Sequence, residues 1–212
     1  MVEPITLAGR YVRLEPLSLA HQAALLEAAS DGELWTLPFT IVPGKETIGE
    51  YISKTLRAQE VGLEQPFTIV DLARNKIVGS TRYTVIDEAN RKVEIGYTWL
   101  ARSVQRTAIN TETKYLLLRH AFENLHCIRV ELITDILNER SRAAILRIGA
   151  TQEGILRNHM IMPNGRYRDS VCFSIIESEW PVVRPAMRVA VETERGRPVR
   201  LSAQREHPQM IF

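Results

Sequence analysis

Cysteine is scarce: the 212-residue chain has two, Cys127 and Cys172. They lie far apart in apolar, strand-like runs and form no CxxC pair, which removes support for zinc ribbons and dithiol redox chemistry. Buried free thiols in a reducing compartment remain the plain reading. No stretch approaches the roughly eighteen consecutive apolar residues of a membrane span. The opening, MVEPITLAGR, lacks the basic-then-apolar pattern of an export signal. The expectation is a cytoplasmic protein without membrane association. The five histidines, His21, His120, His126, His159 and His207, show no ligand spacing, so no metal is expected. GxGxxG after a strand, GxxxxGK(S/T), HExxH and GxSxG are all missing. Dinucleotide, nucleoside-triphosphate, zinc-protease and serine-hydrolase chemistries thereby lose their usual marks.

Charge is also nearly balanced, at a formal +2, and implies no polyanionic partner. It is unevenly spread, however. From Arg184 onward six arginines face three glutamates, a net +3, which leaves the rest at −1. That tail lacks the interleaved aromatics with which single-strand binders stack bases. A solvated terminus is therefore expected, and nucleic acid is not expected as a partner.

What the chain does have is a steady alternation of short strands and helices. The first strand reads Arg10–Leu14 and stops at Pro16. Ser18 suits the N-cap of a helix through Ala29, and a second helix is expected over Thr47–Val61. Strands Phe67–Leu72, Lys76–Ile86 and Lys92–Leu100 follow with connections short enough for an antiparallel meander. In the third of these, strict alternation puts Val93, Ile95, Tyr97 and Trp99 on one face and Glu94 on the other. Next come a helix from Asn110 to Leu125, a strand Ile128–Thr134 and a helix Asn138–Ile148 closed by Gly149. A hairpin Gln152–Met160 and Arg168–Ile176 turns at Pro163-Asn164-Gly165, and a terminal helix is expected near Ser178–Glu194. The order describes one mixed α/β domain over residues 1–180, with a helix and arginine-rich tail over 181–212.

The joint from Trp99 to Thr111 is the first place with chemistry to offer. A loop entering a helix presents unpaired backbone N–H groups and the positive end of the helix dipole, and so suits phosphate or pyrophosphate. Arg102 and Arg106 add positive charge beside it.

The segment Gln105-Arg106-Thr107-Ala108-Ile109-Asn110 resembles the Q/R-x-x-G-x-G/A loop of GNAT acetyltransferases. Asn138-Glu139-Arg140-Ser141-Arg142 followed by Ile148-Gly149-Ala150 is similar to the N-x-x-S…G segment of their RimJ/RimL-like branch. The hairpin with Glu153-Gly154, Asn158-His159, Gly165 and Arg168-Asp169 resembles the same branch. The resemblance covers about residues 8–180. It implies a mostly antiparallel sheet of about seven strands with helices on both faces, and strands Lys92–Leu100 and Ile128–Thr134 parallel and splayed. Both loop glycines are replaced here, by Ala108 and Asn110. Alanine keeps the backbone approachable, and asparagine can cap a helix starting there.

The resemblance further implies transfer of an acetyl group from acetyl-coenzyme A to a primary amine, of a protein N-terminus or a small molecule, by direct attack. Trp99 and Leu100 would offer backbone N–H groups to the thioester carbonyl. Gln105, Arg106, Thr107, Ala108, Ile109, Asn110 and Thr111 would hold the pyrophosphate, with Asn138 and Arg142 completing the cofactor site. Glu94 is the candidate base; its alternative is a structural carboxylate paired with a neighbouring arginine. Many relatives carry a tyrosine acid seven residues after the helix-start asparagine, but that place is Ile145, so Ser141 is the candidate proton donor to the thiolate. Asn138 and Ser141 also suit plain helix capping. His159 and Arg168 would stand at the acceptor entrance, and a homodimer is compatible with the resemblance. A catalytically inactive module that binds coenzyme A or a partner protein is the alternative, motivated by Ala108, Asn110 and Ile145.

Overall fold

The computed structural model describes residues 4–193; the expected arginine-rich tail lies, from residue 194 on, outside them. Eight strands form one open sheet in the order β1-β2-β3-β4-β5-β6-β8-β7. They are β1 (Leu7–Ala8), β2 (Val12–Pro16), β3 (Gln65–Asp71), β4 (Lys76–Asp87), β5 (Lys92–Leu100), β6 (Arg129–Asp135), β7 (Thr151–Ile161) and β8 (Tyr167–Ile176). The strand beyond the expected seven is the two-residue β1, too short for alternation to reveal. The helices are α1 (Gln22–Ser30), α2 (Ile48–Glu60), α3 (Ala108–Glu123), α4 (Glu139–Arg147) and α5 (Trp180–Glu192).

Every strand pair is antiparallel except β5–β6. That parallel ladder runs only from Lys92↔Arg129 to Glu94↔Glu131. From Ile95 to Leu100, β5 has no β6 partner, so the sheet opens into a cleft just after Glu94.

The expected faces of β5 need correction. Ser80 pairs with Trp99 and Arg82 with Gly96, so two steps along β4 oppose three along β5. The extra residue is a β-bulge, marked by Tyr97 at φ 49°. A bulge resets side-chain alternation. Glu94, Gly96 and Trp99 therefore share one face, and the Arg82 guanidinium lies 4.3 Å from the Tyr97 ring centroid on that same side. Thr98, in turn, moves to the face of Ile95, where its Oγ1 lies 2.7 Å from that of Thr81.

The Arg82–Trp99 face is covered by α2, whose buried Ile48, Ile52 and Thr55 keep helical spacing. Tyr51 of α2 reaches Trp99 Nε1 at 3.4 Å and underlies Arg82 at 5.0 Å. The opposite face carries α3, fastened where Tyr83 donates from its hydroxyl to the Leu117 carbonyl at 2.5 Å. Helix α5 lies on the outside of α3, with Trp180 stacked on Phe122 at 5.2 Å and donating to Glu123. Sandwiched this way, α3 is buried almost all round, and each of Leu116, Leu117 and Leu118 contributes about 2 kcal/mol by leaving water.

Helix α3 is also tied to the first hairpin through a charge. The Glu112 carboxylate accepts from the backbone N–H groups of Arg10, Tyr11 and Val12 at 2.7, 2.6 and 2.8 Å. Three charge-assisted bonds compensate its burial. Gly9 permits the approach, since a Cβ there would stand 2.5 Å from the Glu112 Cδ.

Candidate functional site

The end expected to bind an anion is the turn between β5 and α3. Gln105 donates from Nε2 to the Leu100 carbonyl at 2.9 Å and so folds the loop back on the strand end. Arg106 takes the left-handed conformation, φ 64°. Thr107, not Asn110, is the N-cap: its Oγ1 accepts from the Ile109 N–H and donates to the Val104 carbonyl. The helix thus begins two residues earlier than sequence spacing suggests, because the chain is already extended at Thr107 and its hydroxyl reaches the Ile109 N–H. Ala108, Ile109, Asn110 and Thr111 form its first turn, whose N–H groups mostly lack an intrahelical partner. Trp99 and Leu100, paired with β4 but not with β6, end β5 before this turn.

Inside the cleft stands Glu94. Its carboxylate makes no hydrogen bond and no ion pair among the described residues, and the arginine whose charge it feels, Arg168, stands beyond ion-pair distance. Burial, reinforced by the neighbouring Glu131, pushes its pKa up to about 7 against the pull of Arg168 and Lys114. A carboxylate poised there can take a proton at neutral pH. Lys114 approaches from α3, buried, and donates from Nζ to Thr98 Oγ1 at 2.7 Å. Desolvation brings its ammonium down to about 7, opposed by Glu94.

Sequence reasoning missed Lys114, although a signal existed. It stands four residues before Leu118 and eight before Phe122, on one apolar helical stripe. A lysine on a core stripe is a buried charge in want of a partner.

The end of β6 supplies a second cluster. Asp135 is fully buried, accepting from the Leu137 N–H through Oδ1 and from Arg166 through Oδ2. Arg166 also donates to the Pro38 carbonyl at 3.1 Å, tying the β7–β8 turn to the loop before α2. Arg168 stands behind it, its Nε 4.0 Å from Asp135 Oδ2. Asn138 caps α4, its Oδ1 accepting from the Ser141 N–H at 3.1 Å. The Ser141 hydroxyl, by contrast, makes no hydrogen bond among the described residues, so capping does not occupy it. Arg142 donates to the Ile136 carbonyl at 3.2 Å, and its Nε is buried without a partner.

His159 is exposed on the outer hairpin, 3.0 Å from Ser170 Oγ. It lines an open hollow with Ile155, Leu156, Arg157, Asn158 and Asp169, a set that contains neither Glu94 nor Ser141. The structure therefore brings Glu94, Lys114 and Arg168 together electrostatically, while His159 lines the outer hollow. Among the described residues no group of His, Cys, Asp and Glu is arranged to hold a metal ion, and no helix is long and apolar enough to cross a membrane.

Solved structures share this architecture. A GCN5-related N-acetyltransferase from Brucella melitensis is 33% identical, with a TM-score of 0.81 over 90% of this chain and 86% of its own. Mycobacterium smegmatis RimJ, solved with CoA-disulfide, is 24% identical and shares the fold at a TM-score of 0.77 over 91% of this chain and 96% of its own. The Bacillus subtilis (strain 168) protein YdaF, whose name assigns it provisionally to the ribosomal N-acetyltransferases, is 39% identical over 95 residues. That match spans 45% of this chain and about half, 51%, of YdaF. The model of the acetyltransferase (GNAT) domain matches residues 12–151, from β2 to the start of β7, and this chain belongs to the GNAT acetyltransferase family.

Proposed function

We propose that the protein is an N-acetyltransferase of the RimJ/RimL-like type, moving the acetyl group of acetyl-coenzyme A directly onto a primary amine. One observation carries the reading: Glu94, unpaired and titrating about neutrality, stands where β5 parts from β6. Acetyl-coenzyme A would be held by the N–H groups of the turn Gln105–Thr111, with Arg106 beside it and Asn138 and Arg142 on the far side of the cleft. In the reaction the amine nitrogen bonds to the thioester carbon, and backbone N–H groups at Trp99 or Leu100 stabilise the oxyanion. Glu94 takes the amine proton, directly or through a water. The C–S bond then breaks, and the departing thiolate takes the Ser141 hydroxyl proton as the Ser141 oxygen regains one from solvent. The unengaged hydroxyl of Ser141 supports that role. Free thiols at Cys127 and Cys172 support a reducing, cytoplasmic setting.

The test is calorimetric titration with acetyl-coenzyme A, with NAD as control, followed by an amine panel. Saturable binding near 1:1 and acetylation of at least one amine support the proposal. Absence of binding at millimolar ligand would mean that Ala108 and Asn110 close the pyrophosphate site. A non-catalytic module, favoured by those two residues and by Ile145, predicts coenzyme A binding with no amine acetylated.

A further inference from the structure

Arg168 is poorly matched by its surroundings. Its side chain is only 13% exposed, yet its guanidinium makes no hydrogen bond among the described residues, and its Nε is buried without a partner. The nearest carboxylate, Asp135, is already committed to Leu137 N–H and to Arg166, and stands 4.0 Å from Arg168 Nε. Burial pulls the Arg168 pKa down, although Asp135 and Glu94 raise it, so the charge is held at a cost. Guanidinium donors left in this state are unusual, because an unmade bond to a charged group is expensive.

The position of this group narrows its use. Its charge is felt by Glu94, but the two side chains are more than an ion-pair distance apart. Glu94 and Arg168 each feel the charge of the other, so a molecule whose amine meets Glu94 lies in the field of Arg168. The planar fork of an arginine matches a carboxylate through two parallel N–H bonds. Arg166, pinned to Asp135 and Pro38, adds a second cation that is not free to swing away.

We propose that Arg168 recognises a carboxylate a few bonds from the reacting amine, so that the acceptor is an acidic amine and not a polyamine. The assignment rests on the acetyltransferase reading. Two sources share this chemistry: the α-carboxylate of a free amino acid, and an acidic side chain at the head of a peptide.

The experiment measures kcat/KM of the full chain on matched pairs with saturating acetyl-coenzyme A. One pair is a free amino acid and its amide; the other is a short peptide with Asp or Asn at its second position. The acid of one pair should be preferred by about 10-fold or more, the worth of a charge-assisted bond. Preference in the first pair assigns amino acids, and in the second, peptides. Arg168→Gln should shrink the ratio below about 3-fold through the acceptor KM, with the KM for acetyl-coenzyme A unmoved. Arg168→Lys, keeping charge without the fork, should fall between. Equal rates on acid and neutral partner in both pairs of the wild-type protein overturn the proposal without any variant. A preference that survives Arg168→Gln removes the assignment to this residue. If no amine whatever is acetylated, the acetyltransferase reading fails first, and this one with it.

Discussion

Lys114 donates from its buried Nζ to Thr98 Oγ1 at 2.7 Å, four residues along β5 from Glu94, and its charge opposes the desolvation of that carboxylate. The bulge at Tyr97 makes the arrangement possible, because it turns Thr98 toward α3 while leaving Glu94 on the cleft face. An acid raised toward neutrality by burial and by Glu131, and pulled down by Arg168 and Lys114, is sensitive to each of these neighbours.

Glu94→Gln should lower kcat/KM at pH 7 by about 10²-fold or more, and the remaining rate should climb toward alkaline pH as the amine sheds its proton unaided. A pH profile of kcat/KM decides it; an unshifted profile removes Glu94 as the base. The same substitution has a signature in stability. The folded-state pKa of Glu94 is raised from 4.5 to about 7, so its contribution is intact below pH 4.5 and is lost as pH rises to about 7. Glutamine avoids that loss. Chemical denaturation should show no advantage of the variant at pH 4.5, and an advantage of roughly 2–3 kcal/mol above pH 7.

Lys114→Met should move the acid limb of the wild-type rate profile to higher pH, since the ammonium favours the ionised form of Glu94. The lysine also has its own stability signature, opposite in direction. Its folded pKa is depressed from 10.5 to about 7, so burial of the charge costs most below pH 7 and is relieved as pH rises toward 10.5. The methionine variant should therefore gain stability over the wild type at pH 6 and lose that gain by pH 10. A rate profile that stays in place would separate Lys114 from the function of Glu94.

Much of this arrangement was legible in the sequence, and the exceptions have physical causes. Alternation and the Pro163-Asn164-Gly165 turn placed β7 and β8, since both signals are local. The β5 bulge was not legible, because it falls on Tyr97 without a glycine to mark the positive φ. Asn138 announced its cap by residue type, whereas Thr107 was passed over for Asn110, a residue of the same capping class. Asp135 and Arg166 are 31 residues apart, and only the β6–β8 pairing joins them. Glu112 meets the first hairpin across about 100 residues, and no local pattern foretells such a contact.

Ser141→Ala should leave the affinity for acetyl-coenzyme A nearly unchanged while lowering kcat. The Ser141 side chain caps nothing, and its backbone N–H, not its hydroxyl, meets Asn138. Loss of helix stability therefore cannot account for a slower enzyme. A fall of about 10-fold or more in kcat, with thermal stability held, would support proton donation to the thiolate. An unchanged kcat shows that the thiolate departs without it.

Gly9→Ala tests whether the first hairpin holds the cofactor turn in place. The added Cβ would stand 2.5 Å from Cδ of Glu112 and 2.7 and 2.8 Å from its two oxygens. That carboxylate cannot retreat, because Arg10, Tyr11 and Val12 all donate to it. Relief requires either breaking those bonds or shifting α3, and the expected destabilisation is about 2–4 kcal/mol. Glu112 lies only five residues beyond the Thr107 cap, so a shift of α3 also displaces the N–H groups proposed to hold the pyrophosphate. Denaturation and calorimetry on the same sample distinguish the outcomes. Lost stability with weakened acetyl-coenzyme A binding ties the hairpin to the cofactor turn. Lost stability with unchanged affinity confines the effect of Glu112 to folding.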